Sequence, residues 1–378
     1  MLVSAVPAEN SLPSLYIGLL SGTSMDAIDA TAVAFTPKPT LVASVSGYYP
    51  PALKKQVAQL IVTENVDPKV INQLDVELGH LFADVVQELL NKANLSACDI
   101  VAIGSHGQTI YHRPHAPNPY SLQIGSAQVI ADRTQITTIA DFRTADIKAG
   151  GQGAPLAPLF HREFMHSSTK HRAIVNIGGI ANVTLLPKDN SFILGFDTGP
   201  GNGLLDAWIA ELRHEDYDKN GAWAATGVID PMLLDRLLAD PFFALPPPKS
   251  TGKDYFNLAW LESLLTNQAP ENVQATLVEL TARTIMKAIL RQKWSDCEVL
   301  ICGGGIHNHF LVDRMATYAH HYPIVSTEQI GIAPDWLEAM LFAWLAKLHV
   351  ENISVDTCAI TGAKYPTLLG TRFKPNQL

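Results

Sequence analysis

The chain has 378 residues, 47% hydrophobic and 17% charged, with a formal net charge of -9. That composition excludes a disordered chain, and the acidity excludes broad nucleic-acid binding, which relies on clustered Lys and Arg. At roughly 100–200 residues per domain, the length suggests two domains.

Residues 1–14 have no basic n-region and no long apolar run, so they read as a loose leader rather than a secretory signal. No stretch reaches the ~18 apolar residues that span a membrane. Cys98, Cys297, Cys302 and Cys358 form no C-x-x-C pair. They read as small buried hydrophobes in a reducing, cytoplasmic protein.

Two apolar runs, 15–20 and 28–35, flank a polar turn and predict a β-hairpin, with 41–49 as a third antiparallel strand. Leu74, Leu78, Leu81, Phe82, Val85, Leu89 and Leu90 recur at helical spacing and predict a helix over 70–93. Residues 100–103 and 137–140 read as strands, and the Gly/Pro-rich stretch 148–158 as a loop or interdomain crossing. Strands follow at 173–177, 183–186 and 192–196. Helices then dominate 204–292, broken by Pro246-Pro247-Pro248, before a strand at 298–302 and a helix at 339–348 that is apolar on nearly every face. This order fits two α/β halves better than one doubly wound sheet. A strand-turn-strand device recurs near Gly22 and near Gly178-Gly179, without a strict sequence repeat.

Three glycine turns follow apolar strands. The first is Gly22-Thr23-Ser24-Met25-Asp26, whose backbone N–H groups and hydroxyls can meet phosphate oxygens, with Asp26 and Asp29 as hard oxygen ligands for Mg²⁺. The second is Gly178-Gly179 with Asn182, and the third is Gly303-Gly304-Gly305. Each alone suits an ordinary turn; together they fit one nucleotide. No G-x-x-x-x-G-K-[ST] occurs, and Gly199-Pro200-Gly201-Asn202-Gly203 only approaches a G-x-G-x-x-G, so P-loop and Rossmann readings are disfavoured. Asp197 sits at the end of an apolar strand, where a carboxylate can serve as a general base or cap a turn. His106, His112 and His115 lack the spacing of a zinc site.

Read together, Gly18-Leu-Leu-Ser-Gly-Thr-Ser-Met-Asp26, Gly104-Ser-His-Gly-Gln-Thr109, Ala140-Asp-Phe-Arg143, Ala149-Gly-Gly-Gln-Gly-Ala-Pro155, Asn176-Ile-Gly-Gly179, Gly195-Phe-Asp-Thr-Gly-Pro-Gly-Asn202, Pro248-Lys-Ser-Thr-Gly252, Cys302-Gly-Gly-Gly305 and Trp336-Leu-Glu-Ala-Met340 resemble the anhydro-N-acetylmuramic acid kinase family. The resemblance runs from about 15 to 372, with Ala27 where Gly is expected. It implies a two-domain α/β fold of the actin/hexokinase (ribonuclease H-like) type, with mixed sheets flanking a nucleotide cleft. The N-terminal domain is expected over 15–142, completed by 353–378, and the C-terminal domain over 143–352.

The resemblance also implies ATP and Mg²⁺ as cofactors. Gly22, Thr23, Ser24, Met25, Asp26, Ala27, Ile28 and Asp29 would form the first phosphate loop, with Asp26 on the metal. Gly178, Gly179 and Asn182 would form the second phosphate loop, and Gly303, Gly304 and Gly305 would approach adenosine. Asp197 would be the catalytic base. Arg143 is the candidate for the substrate carboxylate, although an interdomain salt bridge suits it nearly as well, and His106, Thr109 and Glu338 would touch the sugar. The expected partners are an amino sugar and ATP, with no nucleic acid or membrane, and a homodimer by resemblance. Two alternatives stay open: another sugar kinase of this fold, or a non-catalytic ATP-binding regulator.

Overall fold

The computed structural model describes residues 14–376, apart from 23, 24, 26, 64 and 65. The chain forms two compact units. The first comprises residues up to Ala145, Ala339–Val355 and Leu368 onward; the second comprises Asp146–Glu338 and Asp356–Thr367.

In the first unit, β1 (Leu15–Ser21), β2 (Ile28–Phe35) and β3 (Pro39–Gly47) form an antiparallel meander. β4 (Ile100–Ser105) lies parallel to β1 on its other side. A separate hairpin pairs β5 (Gln108–Arg113) with β6 (Tyr120–Ile124). β7 (Thr138–Ala140) extends the main sheet parallel to β4, and the strand Thr371–Phe373 closes its edge antiparallel to β7.

The second unit repeats this plan. β8 (His171–Ile177), β9 (Ile180–Leu186) and β10 (Leu194–Pro200) are an antiparallel meander, and β11 (Cys297–Cys302) then β12 (Ile324–Ser326) add in parallel beside β8. The spatial orders β3-β2-β1-β4-β7 and β10-β9-β8-β11-β12 are the same topology. The repeated device near the two glycine turns is therefore the first hairpin of each sheet. Every residue of β1 is buried, as expected of a central strand covered on both faces.

Local sequence explains the main helices. In Pro68–Ala93, Asp67 accepts the Lys69 N–H, Pro68 occupies the first turn, and Asn94 ends the helix in the left-handed region at φ 53°. Its Leu74, Leu78, Phe82, Val85 and Leu89 face the sheet and are buried, each worth roughly 1.5–3 kcal/mol of apolar burial. In Pro270–Leu290 most positions are buried against the second sheet. Its buried Glu279 accepts from Arg314 at 2.6 Å and from the Tyr318 hydroxyl, tying it to the helix His309–Ala319.

The helix Leu337–Val350 explains where the grouping departs from the expected 143–352 stretch. From Ala339 it packs on bare backbone of the first sheet: a Cβ at Gly18 would lie 1.7 Å from the Ala339 carbonyl oxygen, and one at Gly104 2.0 Å from that of Phe342. Glycine is what lets the helix reach the strands. The stretch 148–158 is a loop only up to Leu156. Pro158 then stands in the first turn of the helix Ala157–Met165. The helix Pro51–Val62 was also not expected, although Leu53, Val57 and Leu60 carry its buried stripe and Pro51 its start. Among the described residues, no helix is long and apolar enough to cross a membrane.

Candidate active site

In the first unit, the Gly22 turn leaves β1 above a buried polar chain. The Tyr49 hydroxyl donates to Ser21 Oγ at 2.7 Å, and Ser21 Oγ donates to Gln108 Oε1 at 2.7 Å. Burial pushes the Tyr49 phenol up to about 12, so it stays a donor. The Met25 N–H bonds the Gly22 carbonyl at 3.0 Å, and the Met25 side chain is buried as an anchor. Gly22 is exposed, and among the described residues a Cβ there would meet nothing within 4 Å. Thr23, Ser24 and Asp26 lie outside the described residues. Ile28 points into the core, so it can offer a ligand only its main chain. Asp29 accepts from Ser46 Oγ at 2.7 Å.

His106 and Arg143 come together in the same unit. His106 Nδ1 donates to the Gly107 carbonyl at 3.0 Å, which leaves Nε2 to accept from Arg143 Nη2 at 2.8 Å and Nε at 3.2 Å. Burial first, then the Arg143 charge, holds the imidazole well below its ordinary pKa, so it is neutral. The Phe342 ring lies 4.6 Å from it, centroid to centroid. Thr109, on β5, accepts from Gln123 Nε2 at 3.3 Å. The signal for the Ser21–Tyr49–Gln108 chain was absent from the sequence, because it joins residues up to 87 positions apart.

In the second unit, strand register builds a polar row. Asn176 on β8 pairs with Asn182 on β9, and Asn182 pairs with Asp197 on β10. Directly opposed residues share a face, so two amides and a carboxylate line one side of the sheet. Glu338 joins the row, accepting from Asn176 Nδ2 at 3.3 Å. Asp197 stands inside β10, not at its end as expected: the strand continues through an irregularity between Asp197 and Gly199 as far as Pro200.

The segment 249–251 runs along the free edge of β10 and holds Asp197 twice. Asp197 N–H donates to the Lys249 carbonyl at 3.0 Å, and Thr251 N–H donates to Asp197 Oδ2 at 2.9 Å. Burial nevertheless pushes the carboxyl up to about 6, against the Thr251 bond and the Lys249 charge, which pull it down. A carboxyl poised there is ionised at neutral pH yet basic enough to take a proton.

The two other glycine turns adjoin this row. Gly178 O accepts from Asn202 N–H at 2.8 Å and Gly179 O from Gly201 N–H at 3.0 Å, which pins the β8–β9 turn to the start of the helix Asn202–Arg213. Gly303, at φ 76°, lies so close to β8 that a Cβ would come 2.4 Å from Asn176 Oδ1. Gly304 lies near the Asn202 side chain. Asn176, Lys249 and Thr251 are the contacts that site selection from sequence missed; the Pro248–Gly252 stretch was visible, but its pairing with β10 was not.

A family model described as anhydro-N-acetylmuramic acid kinase matches residues 14–375. The chain is 48% identical over 359 residues to the anhydro-N-acetylmuramic acid kinase of Coxiella burnetii, covering 94% of this chain and 96% of that one. It is 48% identical over 375 residues to that of Saccharophagus degradans, covering 96% and 100%. With the protein of the same name from Shewanella oneidensis it shares 45% over 362 residues, covering 95% and 98%. With its motifs in chain order on two α/β units of the same topology, the chain belongs to the anhydro-N-acetylmuramic acid kinase family.

Proposed function

We propose that the chain uses ATP to convert 1,6-anhydro-N-acetylmuramic acid, a peptidoglycan fragment, into N-acetylmuramic acid 6-phosphate, with Asp197 as the general base. The observation that carries the residue assignment is the Asp197 environment: a carboxyl pushed up to about 6, fixed at both main chain and side chain by segment 249–251.

Asp197 takes a proton from water as that water's oxygen bonds the anomeric carbon. The bond from that carbon to the 6-oxygen breaks, and the 6-oxygen bonds the γ-phosphorus as ADP leaves. The phosphoryl group thus replaces the proton that a second carboxyl supplies in ordinary glycoside hydrolysis, so one carboxylate suffices.

The remaining roles follow from chemistry. Backbone at Gly22–Asp29 and at Gly178–Gly179 with Asn182 would bind phosphates, and Gly303–Gly305 would lie against adenosine. Arg143 would pair with the substrate carboxylate, because a guanidinium matches it bidentately; neutral His106 orients that guanidinium. Thr109 and Glu338 offer an acceptor and a carboxylate to sugar hydroxyls. Mg²⁺ suits the hard oxygens of Asp29, and of Asp26 by sequence, since this ion needs only one or two carboxylates besides phosphates. When bound, it would neutralise phosphate charge. A cytoplasmic location fits the use of ATP and the four free cysteines.

The test is mass spectrometry of product formed from ATP and the anhydro sugar in ¹⁸O water. A 6-phosphate carrying one ¹⁸O at the anomeric carbon is expected. Phosphorylation of an unopened sugar would move the reading to a simple sugar kinase, and ATP binding without product to a regulator.

A further inference from the structure

A cavity lies behind Asp197. Phe196, in the regular part of β10 next to Asp197, lines it together with Thr198, so it faces the side of the strand opposite the Asp197 side chain. Its walls also include Leu238, Phe243, Leu245 and Pro247, and three cations converge on it: Lys249, Lys287 and Arg291. Its volume of about 60 Å³ is several times the roughly 10–15 Å³ that admits one water.

The charges there are unbalanced. Lys287 and Arg291 are exposed, and among the described residues neither has an ion-pair partner. The Lys249 ammonium bonds the Phe242 carbonyl at 2.8 Å and sits 4.1 Å from the Phe242 ring centre. Burial, then Arg291 and Lys287, lowers its pKa, while Asp197 raises it. Lys287 and Arg291 end the helix Pro270–Leu290, where exposed carbonyls favour cations. That accounts for two charges; it does not account for a third cation on a separate loop, or for an apolar-walled hollow between them.

We infer that this cavity is a second binding site, taking a small phosphate monoester with a short apolar group: the phosphate against Lys249, Lys287 and Arg291, the apolar part against Phe243 and Leu245. Occupancy reaches Asp197 through segment 249–251, whose Lys249 forms the cavity wall with its side chain and holds the Asp197 N–H with its carbonyl. The charged groups facing Lys249 are Lys287 and Arg291 from the helix end and Asp197 from β10. An anion that draws the Lys249 charge away from Asp197 makes that carboxyl easier to protonate.

The experiment is isothermal titration of the full chain with monobutyl phosphate, the nucleotide loops being filled with a non-hydrolysable ATP analogue. One-to-one binding is expected, weakened at least tenfold in Lys287→Gln/Arg291→Gln and at least threefold in Arg291→Gln alone, with inorganic phosphate at least fivefold weaker than the ester. Equal binding by wild type and the double variant, or no binding at 20-fold molar excess in the millimolar range, overturns the site. Equal affinity for phosphate and its ester overturns the apolar wall. Bound ester is further expected to move the acid limb of kcat/KM to higher pH in wild type and not in the double variant. This last readout rests on Asp197 being the base: an acid limb that stays put while binding holds overturns the coupling, and loss of the limb itself in Asp197→Asn is judged separately, without the ester.

Discussion

Asp197 carries opposite consequences for stability and for turnover. Its folded-state pKa of about 6 lies above the ordinary value of 3.8. The stability it contributes is therefore fully present below 3.8 and is lost as pH rises through about 6. Asp197→Asn is expected to raise stability by on the order of 1–2 kcal/mol at pH 8 and to change little at pH 4, read by urea melts at both pH values. The same variant should lower kcat by roughly 10²–10⁴-fold, the usual worth of a general base. In the wild type, kcat/KM should fall on the acid side with an apparent pKa of about 6. A variant that is both less stable at pH 8 and normally active would remove Asp197 from this role.

Histidines held neutral by burial and by nearby positive charge add acid sensitivity. His161 bonds Thr184 Oγ1 at 2.9 Å, and burial lowers its pKa to about 3; His112 is lowered to about 4 by burial and nearby positive charge. Their folded pKa values lie below the ordinary 6.5. The stability from keeping them neutral is present above 6.5 and is lost as pH falls towards the folded values. His161 contributes a slope of up to about 1.4 kcal/mol per pH unit in that window, and the half-buried His112 less, because solvent screens its charge. His161→Asn, which keeps a polar atom near Thr184, should flatten the slope between pH 6.5 and 4.5 in thermal or urea melts. Gly22→Val tests a different residue-scale point. Since a Cβ there meets no atom of the described residues within 4 Å, the melting temperature should stay within about 2 °C while ATP affinity drops tenfold or more. Unchanged affinity in calorimetry would take this turn out of the nucleotide site.

At the scale of elements, the meander strands and the helix Pro68–Ala93 were legible because their signals are local: apolar runs punctuated by turns, and a stripe at helical spacing. The helix Pro51–Val62 shows the limit, since its stripe is only three residues deep. The candidate site was legible as motifs and not as geometry. Asp197 stands out in the sequence as a candidate, but the row Asn176–Asn182–Asp197 exists only through register across three strands, and register depends on pairing that a linear pattern does not state. The pairing of 249–251 with the edge of β10 was hidden for the same reason. Gly18 and Gly104 read as parts of motifs; their work as a bed for the helix from Ala339 needs the packed unit. Gly104→Val should therefore lower the melting temperature by at least 5 °C, or prevent folding, by pushing that helix off β4; calorimetry of the purified variant would decide it.

At the scale of the whole molecule, the two sheets share one topology without a strict sequence repeat. Strand order and direction survive wide change in side chains so long as each strand keeps its buried face. The units are also discontinuous: the chain passes from one to the other at 145/146, 338/339, 355/356 and 367/368. A chain ending at residue 338 lacks the helix that covers β1 and β4, and it lacks the edge strand Thr371–Phe373. Limited proteolysis of that truncation should digest residues 15–145 much faster than 146–338. Equal protection of both would show that the first unit is complete without its C-terminal pieces.

The position of that edge strand has a consequence for the order of events on the ribosome. The second sheet has been synthesised in full once Ser326 is made, whereas the first sheet, begun at Leu15, waits for Phe373. The sheet begun first is thus the sheet completed last, and the edge of β7 stays open to stray strand pairing until Thr371–Phe373 has been made.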